Sequence, residues 1–160
     1  MSDTKKGDIV TPNSVDQIGA ILFACNINAV RSAMAETMVK DAFPGKIFVD
    51  SCGVTPGIQD GFATAVMQEI GLDLSAHRPK SFDDLDSGFY DVIISFSPEA
   101  HAAAEALTQN MDCATFYWPV DNLANLTGSR EEMLRAYRHV RDDIRNKLSI
   151  YFGKPIAGNT

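Results

Sequence analysis

A thiol, a guanidinium and a hydroxyl fall within one short run of this chain, Cys25-Asn26-Ile27-Asn28-Ala29-Val30-Arg31-Ser32. The apolar stretch Ile21-Leu22-Phe23-Ala24 precedes it, and Ala33-Met34-Ala35-Glu36 follows as a helix start. A loop leading from a buried strand into a helix aims several backbone N–H groups into one small space. With the positive end of the helix dipole, those groups form an anion seat. The same field favours Cys25 as a thiolate, its nucleophilic form. Arg31 adds a planar fork that matches two oxygens of a tetrahedral oxyanion. Such a layout suits phosphoryl transfer through a cysteinyl-phosphate intermediate. The Cys-to-Arg spacing alone is a weak signal, because a buried Cys at a strand end is often just a small hydrophobe. The strand before it and the helix after it give it weight.

Expelling an alkoxide or phenoxide needs a proton donor, which should come from another loop at the same edge of the sheet. Asp121, in Phe116-Tyr117-Trp118-Pro119-Val120-Asp121-Asn122, follows an apolar run and is the leading candidate. Its bland reading is a loop Asp that caps a turn. Asp60 and Asp91 also lie near element ends, with no better claim. Ser32 can act as a helix N-cap and as a donor to the thiolate. Asn28, in mid-loop, suits a left-handed backbone position or side-chain bonds that hold the loop open. His77 reads as a structural hydrogen-bonding group, His101 and His139 as surface residues on helices, and Cys52 and Cys113 as buried thiols.

The elements that must position these groups alternate along the chain. Strands are predicted over 19–24, 46–51, 90–96 and 114–118. Helices are predicted over 33–43, 62–70 (stopped by Gly71), from Ser97-Pro98-Glu99, and from the capping box Ser129-x-x-Glu132. The last helix carries the stripe Leu134, Tyr137, Arg141, Ile144, Leu148 and Tyr151, and its Arg cluster at 130, 135, 138, 141 and 145, interleaved with Glu131, Glu132, Asp142 and Asp143, reads as a solvated face. Residues 72–88 read as loop with a helical turn near Phe82 to Leu85. Alternation of this kind gives an α/β fold, a parallel sheet with helices on both faces, with ligands at the carboxyl ends of the strands. The organisation expected is a flexible tail over 1–17, one domain over 18–152, and a frayed tail over 153–160.

Bulk properties narrow the class. With 45% hydrophobic and 22% charged residues, 160 residues suffice for one domain with a sizeable core. A formal net charge of −7 argues against general nucleic-acid binding, although a local phosphate pocket remains compatible. No apolar run approaches the roughly 20 residues of a membrane span. The polar start, Met1 to Gln17, lacks the apolar core of a signal peptide. The three Cys show no zinc spacing. Together these predict a reducing, cytoplasmic setting with no membrane partner.

The run Cys25 to Ser32 resembles the phosphate loop of the low-molecular-weight protein tyrosine phosphatase family. Ser51-Cys52-Gly53 is similar to its Ser-Ala-Gly, Gly71-Leu72-Asp73-Leu74-Ser75-Ala76-His77-Arg78 to its Gly-Ile-Asp-x-Ser-x-His, and Asp91-Val92-Ile93-Ile94 to its third strand. The resemblance implies one three-layer domain with a four-stranded parallel sheet in flavodoxin-like order. It implies a cysteinyl-phosphate intermediate, no metal and no cofactor. It makes Cys25 the nucleophile and Asp121 the general acid. Phosphate binding goes to Arg31 and the loop Asn26, Ile27, Asn28, Ala29, Val30 and Ser32, and support goes to Ser32, Asn28 and His77. The substrate class implied is a phosphorylated protein or small phosphoester, and the assembly a monomer or weak homo-oligomer.

Several residues depart from that pattern. Ile27 stands where the family has Gly, Val30 where it has a second Cys, Ala33 where it has Pro, and Asn122 where Pro follows the acid. The aromatic residues at the pocket mouth are missing, which removes a grip on a phosphotyrosine ring. Two other readings follow. One is an arsenate reductase using the same first Cys, which needs a nearby second thiol. The other is a phosphate- or partner-binding module with a weakened acid, motivated by Ile27 and Asn122.

Overall fold

The computed structural model describes residues 17–85 and 89–158; of the tail expected over 1–17, residues 1–16 lie outside the described residues. Four strands, β1 (Ala20–Ile27), β2 (Phe48–Thr55), β3 (Val92–Ser95) and β4 (Ala114–Tyr117), alternate with α1 (Arg31–Ala42), α2 (Gly61–Gln68), α3 (Pro98–Leu107) and α4 (Arg130–Phe152). A 3-10 turn covers Phe82–Asp84. The strands form one parallel sheet in the order β2-β1-β3-β4. From β1 the chain crosses to β2 on one side, and β3 and β4 build outward on the other. Right-handed crossovers therefore place α1 and α3 on opposite faces, and the loops after β1 and β3 diverge to open a crevice.

The central strand β1 is buried on both faces. Ile21, Phe23 and Cys25 face the main core with α1, α2 and α4, whereas Leu22 and Ala24 pack with Ile93, Ala100 and Ala104 on the α3 side. The stripe from Leu134 to Tyr151 is buried throughout, including Arg141. The capping box closes as predicted: the Ser129 hydroxyl accepts from the Glu132 N–H while the Glu132 carboxylate accepts from the Ser129 N–H.

Differences from the predicted elements cluster at the carboxyl edge of the sheet. Strands β1 and β2 each run past their predicted ends, pairing Cys25 with Gly53 and Ile27 with Thr55. Gly53 makes this possible, because a Cβ there would lie 2.4 Å from the Thr55 carbonyl and 2.5 Å from the Asn28 N–H nitrogen. Cys25 therefore sits inside a strand rather than beyond it. Asn28 does not take a left-handed backbone; among the described residues Ala157 is the non-glycine with positive φ. The expected fray after residue 152 is corrected through residue 158: Gly153 (φ 68°) ends α4, and Ile156 folds back fully buried, its N–H on the Ser149 hydroxyl.

Candidate active site

Cys25 is 1% exposed at the carboxyl end of β1. Its thiol donates to the Ile27 carbonyl at 3.0 Å and lies 3.0 Å from the Ser32 hydroxyl. Ser32 is not the predicted N-cap. Helix α1 begins earlier, with Val30 at the cap position and no side-chain capping bond, so the hydroxyl is freed for the thiol. Ser32 Oγ accepts from Asn28 Nδ2 at 2.8 Å, and its one proton can go to the Cys52 carbonyl at 3.3 Å or to the sulfur. A hydroxyl with its acceptor side already filled is well arranged to donate to a thiolate.

Asn28 is the hub beneath the loop. Its amide nitrogen donates to Ser32 and to Ser51 at 3.0 Å, and its Oδ1 accepts from the Lys80 N–H at 2.9 Å and from His77 Nε2 at 3.1 Å. The other ring nitrogen of His77 faces Glu36 at 3.5 Å. Glu36 also accepts from Ser51 and Lys40. Burial pushes the Glu36 carboxyl up, but the bonds from His77, Lys40 and Ser51 outweigh it and hold the group down at about 2. Sequence reasoning missed Glu36. Its signal was its place one helical turn after Ser32, on the same face of α1.

Arg31 is 5% exposed, and its Nη1 donates to the carbonyls of Phe96 at 3.0 Å and Val120 at 2.9 Å. This clamp ties the loop after β1 to the loops after β3 and β4. Among the described residues Nε and Nη2 have no hydrogen-bond partner, which leaves them to an oxyanion. The backbone is less open than expected, because the N–H of Asn28 is held by the Thr55 carbonyl and that of Ala29 by the Ile27 carbonyl.

Two cavities flank Arg31. One, of about 300 Å³, is lined by Ser97, Glu99, Tyr117 and Asp121 among others. The other, of about 600 Å³, has mainly aliphatic walls from Ile27, Val30, Ile58 and Leu123, with Asp60 and Tyr137. Asp121 is exposed, and among the described residues its carboxylate has no hydrogen-bond partner. The other candidate acids are engaged. Asp60 caps α2 and accepts from the Tyr137 hydroxyl at 2.7 Å, and Asp91 ties down the Gly19 and Ala20 N–H groups at the opposite edge of the sheet.

The remaining candidates separate. Cys52 is paired with Ala24 and faces the α3 side, away from Cys25; burial, and then the nearby Cys25 and Asp50, push its thiol far up. Cys113 is half-buried rather than buried, and burial lifts it to about 11. It precedes β4 at the level of Ala20, about 16 Å along the strands from Cys25. His101 is half-buried and stacks on Tyr117 at 5.8 Å, whereas His139 is exposed. The charged face of α4 is only partly solvated: Arg138 and Arg141 grip Glu69 of the turn after α2, and Arg141 also donates to the Val66 carbonyl. Among the described residues no group of His, Cys, Asp and Glu is placed to hold a metal ion.

The model of the family described as low molecular weight phosphotyrosine protein phosphatase matches residues 20–154. The chain belongs to that family. Its four-stranded parallel sheet matches the tyrosine phosphatase amsI of Erwinia amylovora at TM-score 0.70, with 17% identity over 91% of this chain and 97% of the other. It also matches an arsenate reductase in its oxidised state at TM-score 0.68, with 24% identity over 84% and 96% of the two chains. In sequence, this phosphatase-family chain is 28% identical to an arsenate reductase of Halalkalibacterium halodurans, over 82% of this chain and 93% of that one. It is 37% identical over 75 residues to a glutaredoxin arsenate reductase of Synechocystis sp., a match spanning 47% of this chain and 57% of that relative's length. The proteins this chain resembles are thus named for two activities, tyrosine phosphatase and arsenate reductase.

Proposed function

We propose that this chain is a phosphomonoester hydrolase of the protein tyrosine phosphatase type, acting through a cysteinyl phosphate on Cys25. The observation that carries this reading is the contact of Cys25 with a Ser32 hydroxyl whose acceptor side is already filled by Asn28. That hydroxyl stabilises the sulfur as thiolate, both before attack and when it leaves. Arg31, clamped by two carbonyls, turns its remaining donors to the charge that develops on phosphorus oxygens. The thiolate attacks phosphorus, an S–P bond forms, and the ester P–O bond breaks as Asp121 gives its proton to the leaving oxygen. Water then attacks phosphorus and passes a proton to the Asp121 carboxylate, and the S–P bond breaks with Ser32 donating to the sulfur. The leaving group would lie in the smaller cavity, beside Asp121 and the Tyr117 ring.

The test is p-nitrophenyl phosphate turnover at mildly acidic pH for wild type, Cys25→Ser and Asp121→Ala. Loss of all turnover in the first variant and a fall of roughly 10²–10³-fold in the second is the expected result. A silent wild type with reduced Cys25 sinks the hydrolase reading.

The sequence relatives named as arsenate reductases favour a second reading, arsenate reduction. There the Cys25 thiolate would attack arsenic and displace water. A second thiol would then attack the Cys25 sulfur, forming a disulfide and releasing arsenite. With Cys52 on the other face and Cys113 at the other edge, that second thiol would have to come from outside the chain. Arsenate-dependent oxidation of an added thiol, absent in Cys25→Ser, is its readout.

A further inference from the structure

We propose that Asn26 and Asn122 are further oxyanion-binding residues, forming with Arg31 a seat of side-chain donors where the two cavities meet; this rests on the oxyanion chemistry proposed above. These three residues line both cavities. In each, one end of the polar group is anchored by the protein and, among the described residues, the donor end has no hydrogen-bond partner.

For Asn26, the Ser97 hydroxyl donates to Oδ1 at 2.5 Å while itself accepting from the Ala100 N–H at 3.1 Å. That hydroxyl has its acceptor role filled, so its proton goes to the amide oxygen and Nδ2 turns away from Ser97. For Asn122, Oδ1 accepts from the Ala124 N–H at 3.0 Å, which again fixes the oxygen inward and the nitrogen outward. For Arg31, the two carbonyls take Nη1. Asn26 ends β1, Arg31 opens α1 and Asn122 follows β4, so the three residues come together only in the fold.

Such a seat also answers a deficit in the loop itself. The backbone N–H groups of Asn28 and Ala29 are engaged by carbonyls of Thr55 and Ile27. An anion at the junction would therefore draw on side chains for donors that an open loop would supply from its backbone. Asn122, read from the sequence as a weakening of the acid, becomes a binding group next to Asp121. Seven N–H bonds remain in principle, two from each amide and three from the guanidinium, a number that the four oxygens of a phosphate can accept. The seat accepts any tetrahedral oxyanion, and an ester oxygen placed there lies in the cavity that Asp121 lines.

The experiment is titration of wild type, Asn26→Ala, Asn26→Asp, Asn122→Ala and Asn122→Asp with inorganic phosphate by calorimetry, with a thermal melt of each. Removing one donor to an anion should weaken phosphate about tenfold. The Asp variants keep the anchored oxygen and replace the donor by an anionic oxygen, and should weaken it about a hundredfold. A purely structural role predicts the reverse order, since Asp preserves the anchoring bond. Phosphate affinity in folded Asn122→Asp within twofold of wild type overturns the proposal, and so does a wild type that does not bind phosphate. Asn122 is exposed, so its variants decide the matter even where an Asn26 variant fails to fold. A wild type that binds phosphate and hydrolyses no ester removes the hydrolase reading while leaving the seat to be judged by the same titration.

Discussion

The Cγ2 methyl of Ile27 lies 2.1 Å from the position a Cβ on Gly57 would take. Gly57 has φ +74°, so the residue is required twice: for its backbone and for the space above it. The side chain at the rim, absent from the family pattern, is thus seated on a glycine that has no other side-chain role. A β-branched residue held this way is a stiff wall for the larger cavity.

Gly57→Ala should destabilise the protein by about 2–3 kcal/mol, combining left-handed strain with displacement of Ile27. In an Ile27→Ala background only the strain of about 1–2 kcal/mol should remain. Urea unfolding of the two single variants and the double variant measures the coupling. Strict additivity would mean that Ile27 does not occupy the seat.

Asn28 joins four partners: Ser32, Ser51, His77 and the Lys80 backbone. Asn28→Ala leaves buried donors and acceptors unpaired and should cost roughly 2–4 kcal/mol. Phosphate-ester turnover should fall even where the protein stays folded, because Ser32 loses the bond that orients its proton toward sulfur. Thermal melts and kcat measured on the same samples test this; normal kcat in a destabilised protein would limit Asn28 to folding.

The Glu36 carboxyl titrates near 2 in the folded chain against an ordinary value of 4.5. A depressed folded pKa contributes stability that is fully present above the unfolded value and is lost as pH falls toward the folded one. Its share is therefore lost between about pH 4.5 and 2, on the order of 3 kcal/mol. Glu36→Gln should be less stable than wild type at neutral pH and should show a shallower fall in that window. Parallel pH–stability curves for the two proteins would contradict the role given to Glu36.

Oxidation gives a further check on the thiols. With Cys52 facing the α3 side and Cys113 about 16 Å away along the strands, neither can bridge to Cys25 without unfolding. Peroxide treatment of the folded protein, followed by non-reducing peptide mapping, should show no Cys25–Cys52 or Cys25–Cys113 disulfide. Either crosslink would reopen an internal thiol relay and shift the balance toward reductase chemistry.

The linear sequence by itself determined a good deal. Hydrophobic periodicity and capping residues placed the four strands and four helices, Ser97 and Ser129 marked helix starts, and Cys25, Arg31, Ser32 and Asp121 could be assigned to the carboxyl edge of the sheet. These features are local: each depends on residues within a few positions, and short-range sterics and hydrogen bonding decide them. Tertiary structure alone decided the rest. It carried β1 through Cys25 to Ile27, moved Ser32 from cap to thiol partner, brought Glu36 under the loop through His77, and set Asn26, Arg31 and Asn122 around the same two cavities. Most of those outcomes rest on partners distant in the chain, such as the Ser32–Cys52 bond across 20 positions and the Asn26–Ser97 bond across 71. A polar side chain's role is set by which neighbour takes its other hydrogen-bonding end, and that neighbour is supplied by the fold rather than by the adjacent chain.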